Sequence, residues 1–333
     1  MKKKSLIVVS IIGIIAVGYT IYYNFCLPSY SYTPVSLPAT FDEYYKNKLA
    51  ESARLKVRPG NEERLVRYAP GKTPIAILYI HGYGACRAEG EYILDKVAAR
   101  LKANTYYLRL PGHGTNKEDH LNARAKDHLD TVITALMMMD KLGDKIIVVG
   151  TSMGGLISTY LAAHYPEKMA GVVLVSPFYN FPDAVSRLVN HYPIFRLYVA
   201  LNPMRISSSP VPPQEDNWTK YWYREQYYLA ATQLIDLERM IARDPVYEKI
   251  TIPVLLIYYY KDKNNQDKTA SVAHMLHAFE RFGRSSSPNP LNRAVRVENG
   301  AHVLMSKYDK TDEALVTEAT YEFIRDAAGI TKK

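Results

Sequence analysis

Cysteine is scarce in this sequence: Cys26 and Cys86 are the only two among 333 residues. Cys26 follows an apolar N-terminal segment and Cys86 follows a predicted strand, so a disulfide framework is not supported. Tryptophan is as rare, with 2 residues against 28 tyrosines. A tyrosine can bury its ring and keep its hydroxyl hydrated, so it suits both apolar strands and a partly exposed apolar surface.

Long blocks of like charge are also missing. The net charge is +9 at pH 7, but apart from Lys2, Lys3 and Lys4 the basic residues are spread along the chain, and no DNA- or RNA-binding motif is found. We therefore expect no nucleic-acid partner, and either a generally basic surface or an attraction to anionic lipid. The histidines show no paired metal-ligand spacing, and no glycine-rich nucleotide loop follows a strand, so we expect neither a metal nor a cofactor.

The N-terminal segment is the longest apolar run. No charged residue occurs between the three lysines and Asp42. About 20 apolar residues span a bilayer as a helix, and no small-residue cleavage site closes the run. We expect an uncleaved membrane anchor over residues 1–23 rather than a signal peptide. The lysines would keep the N-terminus in the cytoplasm and place the folded part outside it, in a periplasmic or other extracytoplasmic space. Residues 24–40, with three prolines, predict an extended linker.

From residue 41 onward, apolar strand patterns alternate with helical patterns. Hydrophobic residues make up 47% of the chain, enough for a large core. The predicted strands cover residues 75–80, 105–110, 145–149, 171–175, 253–260 and 294–297, and the predicted helices cover 42–54, 89–102, 126–141, 155–163, 269–282 and 311–327. This alternation predicts an α/β fold with a mostly parallel sheet and helices on both faces.

The alternation stops over residues 177–251, which are rich in Tyr, Trp, Pro and Leu. A structureless loop of that length is improbable inside a compact domain. We expect a helical cap, or lid, over the carboxyl ends of the strands. The core would then consist of residues 41–176 and 252–330, with the cap inserted between them.

The stretch Gly150-Thr151-Ser152-Met153-Gly154 is the strongest functional signal. It follows a predicted strand and precedes a predicted helix, so Ser152 would lie on a tight turn with its hydroxyl exposed. Glycines on either side allow the strand and the helix to pass closely. The sequence therefore predicts Ser152 as a nucleophile.

A serine nucleophile needs a general base, and the base needs a carboxylate to fix its tautomer. His302, in the loop after the last predicted strand, is the only histidine at the position expected for the base. The acid should follow the strand at 253–260, where Asp262 and Asp267 are both candidates. We prefer Asp267, which stands just before a helical run, whereas Asp262 lies between lysines and could be a surface charge.

Acyl transfer also needs hydrogen-bond donors for the developing oxyanion. One is the backbone N–H of Met153, directly after the nucleophile. The second is expected from the turn His81-Gly82-Tyr83-Gly84, at the N–H of Tyr83. His81, and His113 in Pro111-Gly112-His113-Gly114, are expected to brace their turns rather than to react.

Together these motifs resemble those of α/β-hydrolases, in the group that includes monoacylglycerol lipases, lysophospholipases and serine aminopeptidase-like hydrolases. The matching stretches are His81-Gly82-Tyr83-Gly84, Arg109-Leu110-Pro111-Gly112-His113-Gly114, Gly150-Thr151-Ser152-Met153-Gly154-Gly155 and Gly300-Ala301-His302-Val303. The resemblance covers roughly residues 70–330 apart from the cap, and it implies the α/β-hydrolase fold with a Ser-His-Asp triad. In that group the acid usually lies in an Asp-x-Val-Val-like context, from which Asp267-Lys268-Thr269-Ala270 departs.

The apolar content of the cap suits an apolar acyl group, and the anchor would hold the enzyme near lipid. The sequence therefore predicts a membrane-anchored serine hydrolase for carboxylic esters of lipid or other apolar acyl substrates, acting through an acyl-enzyme. One alternative is a peptidase or amidase, for which Glu215 and Asp216 could bind a substrate amino group. The other is a non-catalytic binding protein on a hydrolase fold. The oligomeric state stays open.

Overall fold

The computed structural model describes the backbone of residues 2–191, 193–208 and 216–330. Its centre is a seven-stranded sheet, and a separate two-stranded sheet lies in the cap, the region of residues 177–251. The strands of the described residues are β1 (Arg64–Val66), β2 (Thr73–Ile80), β3 (Asn104–Tyr107), β4 (Gly143–Thr151), β5 (Gly171–Val175), β6 (Ile206–Ser208), β7 (Glu225–Tyr227), β8 (Val254–Tyr259) and β9 (Arg293–Val297). The large sheet has the order β1-β3-β2-β4-β5-β8-β9.

All neighbouring strands of the large sheet are parallel except β1, which is antiparallel to β3. The predicted mostly parallel sheet is therefore confirmed. The carboxyl ends of parallel strands share one edge, so the loops that follow β2, β4, β8 and β9 meet there. The sequence did not predict β1, because three residues are too few to show a periodicity.

Helices cover both faces of the sheet. Those of the described residues are α1 (Lys2–Phe25), α2 (Phe41–Arg54), α3 (Glu91–Leu101), α4 (Lys117–Asn122), α5 (Ala125–Met138), α6 (Met153–His164), α7 (Ala184–His191), α8 (Pro193–Leu201), α9 (Asp216–Tyr221), α10 (Tyr228–Ile241), α11 (Asp244–Tyr247), α12 (Val272–Arg281) and α13 (Glu313–Ala327).

Strand β2 shows how the sheet separates two apolar layers. Leu78 and Ile80 face a core that includes side chains of α5, α6 and α12. Ile77 and Tyr79 face the opposite core, built with α3 and α13. All four are completely buried. Because successive side chains of a strand point to opposite faces, a strand covered on both sides must be apolar throughout.

Predicted boundaries differ from those of the structure by up to three residues, and two of these differences have a local cause. The strand predicted over 105–110 ends at Tyr107, because the N–H of Leu110 donates to Nε2 of His81 instead of to a neighbouring strand. The helix predicted to begin at 269 begins at Val272. The side chain of Asp267 accepts hydrogen bonds from the backbone of residues 269 and 270, which holds this segment in a turn before the helix.

The N-terminal segment forms α1, as its apolar run predicted. Within the described part of the chain, however, no helix has both the length and the apolarity needed to cross a membrane. The expectation of a transmembrane anchor over residues 1–23 is not supported by this finding. The predicted linker is not free of the core: the hydroxyl of Tyr30 donates to Asp130 at 2.6 Å, and Tyr32 shares a hydrogen bond with Thr134.

The cap contains α7 to α11 and the antiparallel pair β6 and β7. Its helical character agrees with the prediction, whereas its two short strands were not predicted. Helix α10 packs on α6 of the core, and Leu234 and Leu237 join the same apolar cluster as the buried side chains of α6. The side chains of Glu215 and Asp216, on which the peptidase alternative rested, lie outside the described residues.

Candidate active site

Ser152 lies between the last residue of β4 and the first residue of α6. Its backbone has φ 53° and ψ −116°, a positive φ that residues other than glycine rarely adopt. The strained turn is held on both sides: the N–H of Ser152 donates to the carbonyl of Val175, and its carbonyl accepts from the N–H of Phe178. The serine is therefore fixed in an unusual backbone conformation by the strand beside it.

The glycines around the serine are required by close backbone packing. A Cβ atom at Gly150 would overlap the carbonyl of Gly154, and one at Gly154 would overlap the carbonyl of Ile80, both closer than real Cβ atoms approach. The turn thus brings α6 against the carboxyl end of β2. This packing explains why the sequence has small residues on both sides of Ser152.

His302 and Asp267 are in direct contact. Nδ1 of His302 lies 2.7 Å from Oδ2 of Asp267. The carboxylate is only 2% exposed, and its other oxygen accepts from the N–H groups of Thr269 and Ala270. Nε2 of His302 is buried and has no hydrogen-bond partner among the described residues. This nitrogen is therefore available for a group that enters the site.

Asp262, the other candidate acid, lies elsewhere. Its side chain is exposed and accepts hydrogen bonds from the backbone of Asn264 and Asn265, closing its own turn. The structure therefore brings Asp267, and not Asp262, to His302.

The charges around His302 favour its protonated form. Burial by itself lowers the pKa of His302, but the charge and the hydrogen bond of Asp267 act in the opposite direction, and Glu89 and Asp309 add further negative charge. The net effect is a pKa above the ordinary value of histidine. A base in this environment is stabilised after it takes a proton.

The turn after β2 lies against the serine. A Cβ atom built on Gly82 would be 3.1 Å from Cβ of Ser152. Among the described residues, the backbone N–H groups of Tyr83 and Met153, the two predicted oxyanion donors, have no hydrogen-bond partner. Such unpaired donors at the nucleophile are suited to bind a developing negative charge.

Two buried histidines brace this turn. His81 accepts from the N–H of Leu110 through Nε2 and directs Nδ1 to the carbonyl of Gly82. His113 accepts from the N–H of Gly84 through Nε2 and directs Nδ1 to the carbonyl of Pro111. Burial lowers the pKa of His81 to about 4, against the opposite effect of its hydrogen bond to Gly82, so the ring is neutral near pH 7 and its Nε2 can accept from Leu110.

Sequence reasoning missed two residues of this site, Glu89 and Asp309, and it placed Trp222 only among the aromatic cap residues that suit an apolar acyl group. Glu89 stands where a helix was predicted to begin, but it ends a short 3₁₀ turn and is 3% exposed. Trp222 of the cap donates its indole N–H to Glu89. Asp309 accepts from the N–H of Val303, next to the histidine. The only signal in the sequence was an acidic residue soon after the His-Gly-x-Gly turn, which also fits an exposed helix start.

An apolar cavity of about 290 Å³ lies between this turn and the cap. Its lining residues are Tyr83, Phe181, Phe195, Ser207, Gln226, Tyr227, Tyr228 and Ala231. Tyr83 belongs to the turn beside the serine, so the cavity reaches the residue that carries one of the two candidate oxyanion donors. Ser152 itself is only 7% exposed.

Comparison with known proteins gives a family. The α/β-hydrolase fold family matches residues 75–323. A thermostable monoacylglycerol lipase from Bacillus sp. (strain H-257) is 23% identical over 257 residues, which cover 77% of this chain and 92% of that protein. The chain belongs to the α/β-hydrolase fold family.

Solved structures agree on the fold. A metagenome-derived lipolytic enzyme superposes with a TM-score of 0.64 at 20% identity, over 81% of this chain and 99% of that chain. A monoacylglycerol lipase from Paleococcus ferrophilus gives a TM-score of 0.59 at 14% identity, over 81% and 98%. The resemblance inferred from the motifs is confirmed, and the names of these proteins support an ester hydrolase.

Proposed function

We propose that this protein is a serine hydrolase that cleaves carboxylic esters of apolar acyl groups, with Ser152, His302 and Asp267 as its catalytic triad. The observation that carries the proposal is the 2.7 Å contact of His302 with Asp267, which leaves the buried Nε2 of His302 unpaired at the edge where the strained serine lies. This is the arrangement of base and orienting acid that an activated serine requires.

The reaction follows from these roles. Oγ of Ser152 attacks the ester carbonyl carbon while Nε2 of His302 takes the serine proton, and Asp267 stabilises the imidazolium. The N–H groups of Tyr83 and Met153 bind the oxyanion. When the carbon–oxygen bond breaks, His302 gives its proton to the leaving alcohol, and an acyl-serine remains. Water then attacks this ester with His302 again as base, releasing the acid and restoring the serine.

The substrate class rests on the cavity and on the relatives. The cavity beside Tyr83 is walled mainly by Phe and Tyr rings of the cap, which suit an acyl chain more than a charged group. Two of the similar proteins are monoacylglycerol lipases. We infer an uncharged ester with an apolar acyl chain as the substrate. No observation in the described residues favours the peptidase or the binding-protein alternative.

Membrane association through residues 1–23, with the catalytic part outside the cytoplasm, belongs to the same proposal. Its support is the set of exposed apolar side chains along α1, such as Ile12 at 61% and Ile14 at 72% exposure. Deletion of residues 1–26 would remove α1 and keep the contacts of Tyr30. We expect the full chain to sediment with vesicles and the shortened chain to stay in the supernatant; equal sedimentation would exclude α1 as the attachment.

The decisive test is labelling of the full chain in mild detergent with a fluorophosphonate probe. We expect labelling of the wild type, none of Ser152→Ala, and full labelling of the control Ser285→Ala, which changes an exposed serine. Hydrolysis of p-nitrophenyl esters of increasing chain length, beside the matching anilides, then separates esterase from amidase. A folded wild-type chain that is neither labelled nor active with any of these compounds would contradict the proposal.

A further inference from the structure

Glu89 is a buried acid that the proposed reaction does not use. Its carboxyl group accepts two hydrogen bonds on two different oxygens. Oε2 accepts from the backbone N–H of Gly82 at 2.5 Å, and Oε1 accepts from the indole N–H of Trp222 at 3.2 Å. Among the described residues, no lysine or arginine lies within ion-pair distance of it. Burying a carboxyl group without an ion-pair partner costs folding free energy, which points to a function for Glu89 in the site.

The carboxyl group lies close to the nucleophile. A Cβ atom built on Gly82 would be 2.9 and 3.1 Å from the two oxygens of Glu89, and 3.1 Å from Cβ of Ser152. The Cα atom of Gly82 is therefore what separates the acid from the serine. Any side chain at position 82 would displace one of them.

The hydrogen bonds connect two parts of the protein. Gly82 directly precedes Tyr83, whose N–H is the proposed oxyanion donor. Trp222 belongs to the cap, and the next residue, Tyr223, donates its backbone N–H to the carbonyl of Gly84 at 2.7 Å. The cap is thus bound to the turn at two points. One is Gly82, just before Tyr83, which is linked to the cap through Glu89; the other is Gly84, just after Tyr83, which accepts from Tyr223 directly.

We propose that Glu89 is a positioning residue that, as a carboxylate, holds the His81–Gly82 peptide, and through Gly82 orients the neighbouring N–H of Tyr83 toward the oxyanion, and that it couples this turn to the cap through Trp222. This inference rests on the proposed function. Two N–H donors require two acceptor oxygens, which a carboxylate has. An amide or a protonated acid replaces one acceptor with a donor group, so one of the two contacts is weakened.

The surroundings of Glu89 act in both directions. Burial raises its pKa, the hydrogen bonds from Gly82 and Trp222 together with His302 limit the rise, and the net pKa is about 7, so the carboxylate predominates above that pH. The other titratable groups that face it are Asp309, Tyr79 and the thiol of Cys86. The contact with Gly82 and Trp222 therefore favours the ionised form against the effect of burial.

The experiment compares Glu89→Gln, Trp222→Phe and the double variant in the full chain, measuring kcat and KM for a p-nitrophenyl ester. In Glu89→Gln the new NH₂ group faces an N–H donor. We expect kcat to fall about tenfold with KM changed less than about threefold, since the loss of a complete oxyanion donor costs about 10²–10³ in kcat. Trp222→Phe removes the indole donor, so the double variant should recover at least about threefold in kcat over Glu89→Gln.

The outcomes separate the possible roles. Wild-type kcat in Glu89→Gln, or additive losses in the double variant, would overturn the inference and leave the proposed function standing. If Glu89→Gln does not fold, Trp222→Phe alone decides: a lower kcat at constant KM supports the coupling, and an unchanged kcat overturns it. A wild-type chain that is neither labelled by fluorophosphonate nor active rejects the proposed function, and this inference with it.

Discussion

The serine turn and the cap approach the same site through different kinds of contact. At the turn, backbone packs on backbone, and neither Gly150 nor Gly154 leaves room for a Cβ atom. The cap has one backbone hydrogen bond to the turn after β2, from Tyr223 to Gly84, and otherwise uses side-chain groups, such as the indole of Trp222 and the hydroxyl of Tyr223, which donates to the carbonyl of Gly112. Steric requirements for glycine can be recognised in a sequence. A hydrogen bond from an aromatic side chain cannot, because any of many tyrosines could supply it.

The largest effect is expected in the core, at Asp267, the proposed triad acid. Asp267→Asn should lower kcat by about 10⁴-fold, the loss seen when a triad base is left in the wrong tautomer. Asp262→Asn is the matched control, since the exposed Asp262 contacts only its own turn, and its kcat should stay within about twofold of the wild type. Ester hydrolysis by the two purified variants checks the ranking, and the opposite ranking would move the acid to Asp262.

The steric requirement at the serine turn can be tested by adding one methyl group. Gly154→Ala should destabilise the fold by about 3 kcal/mol or more and abolish fluorophosphonate labelling, because the methyl group must displace α6 from the end of β2. Gly71→Ala is the control, since a Cβ atom there meets nothing within 4 Å. Urea unfolding of both variants measures the difference. Equal stability of the two variants would mean that the serine turn can move to accommodate the added methyl group at little cost in free energy.

On the cap side, Tyr223→Phe removes a hydroxyl that accepts from the N–H of Thr115 and donates to the carbonyl of Gly112. The loss should be smaller, about 1–3 kcal/mol of stability, because the ring stays in place while two backbone groups lose a partner. Tyr68→Phe, at an exposed tyrosine, should leave the melting temperature unchanged. If the two variants melted alike, the hydroxyl would not hold the cap to the core.

The stability of the region where the core meets the cap should decrease in acid. Burial lowers the pKa of both His120 and His128 to about 3, and the ring of His120 contacts that of Tyr223. Because these pKa values are lower in the folded than in the unfolded state, their contribution to stability is complete above about pH 6.5 and is lost as the pH falls toward 3.

Each such histidine contributes a slope of up to about 1.4 kcal/mol per pH unit in that window. His128→Leu should therefore make the stability curve between pH 6.5 and 4 flatter by that amount. Urea unfolding at four pH values measures the slope. An unchanged slope would show that folding does not lower the pKa of His128.

The smallest effect concerns the charge beside the base. His302 must be neutral to take the serine proton, so kcat/KM should fall as the pH decreases through its raised pKa. Asp309 is one of the groups that raise it. Asp309→Asn should lower the pKa of His302 and increase the ratio of kcat/KM at pH 6 to that at pH 8 by about twofold. A decrease in this ratio would contradict the electrostatic account.

Much of the core could be predicted, because the central strands β2, β3, β4, β5 and β8 are buried on both faces and the helices that cover them have a periodic apolar face. The proposed nucleophile, base and two oxyanion donors follow from local motifs at strand ends. The choice between Asp262 and Asp267 stayed open because it depends on how the segment after β8 folds back to His302. Glu89 was missed for a similar reason. Its partner Trp222 lies in the cap, far along the chain, and its partner Gly82 lies on a different element, the turn after β2.

The hydrogen bond of Tyr30 to Asp130 limits the distance between the end of α1 and the core. Five Cα–Cα steps separate Phe25, the last residue of α1, from Tyr30, so the two cannot be more than about 18 Å apart. A surface that binds α1 would consequently keep the folded core within about this distance. The side of the core that carries Asp130 would then be nearest to the surface. Lengthening the chain between residues 26 and 29 would relax this constraint without altering any group that reacts.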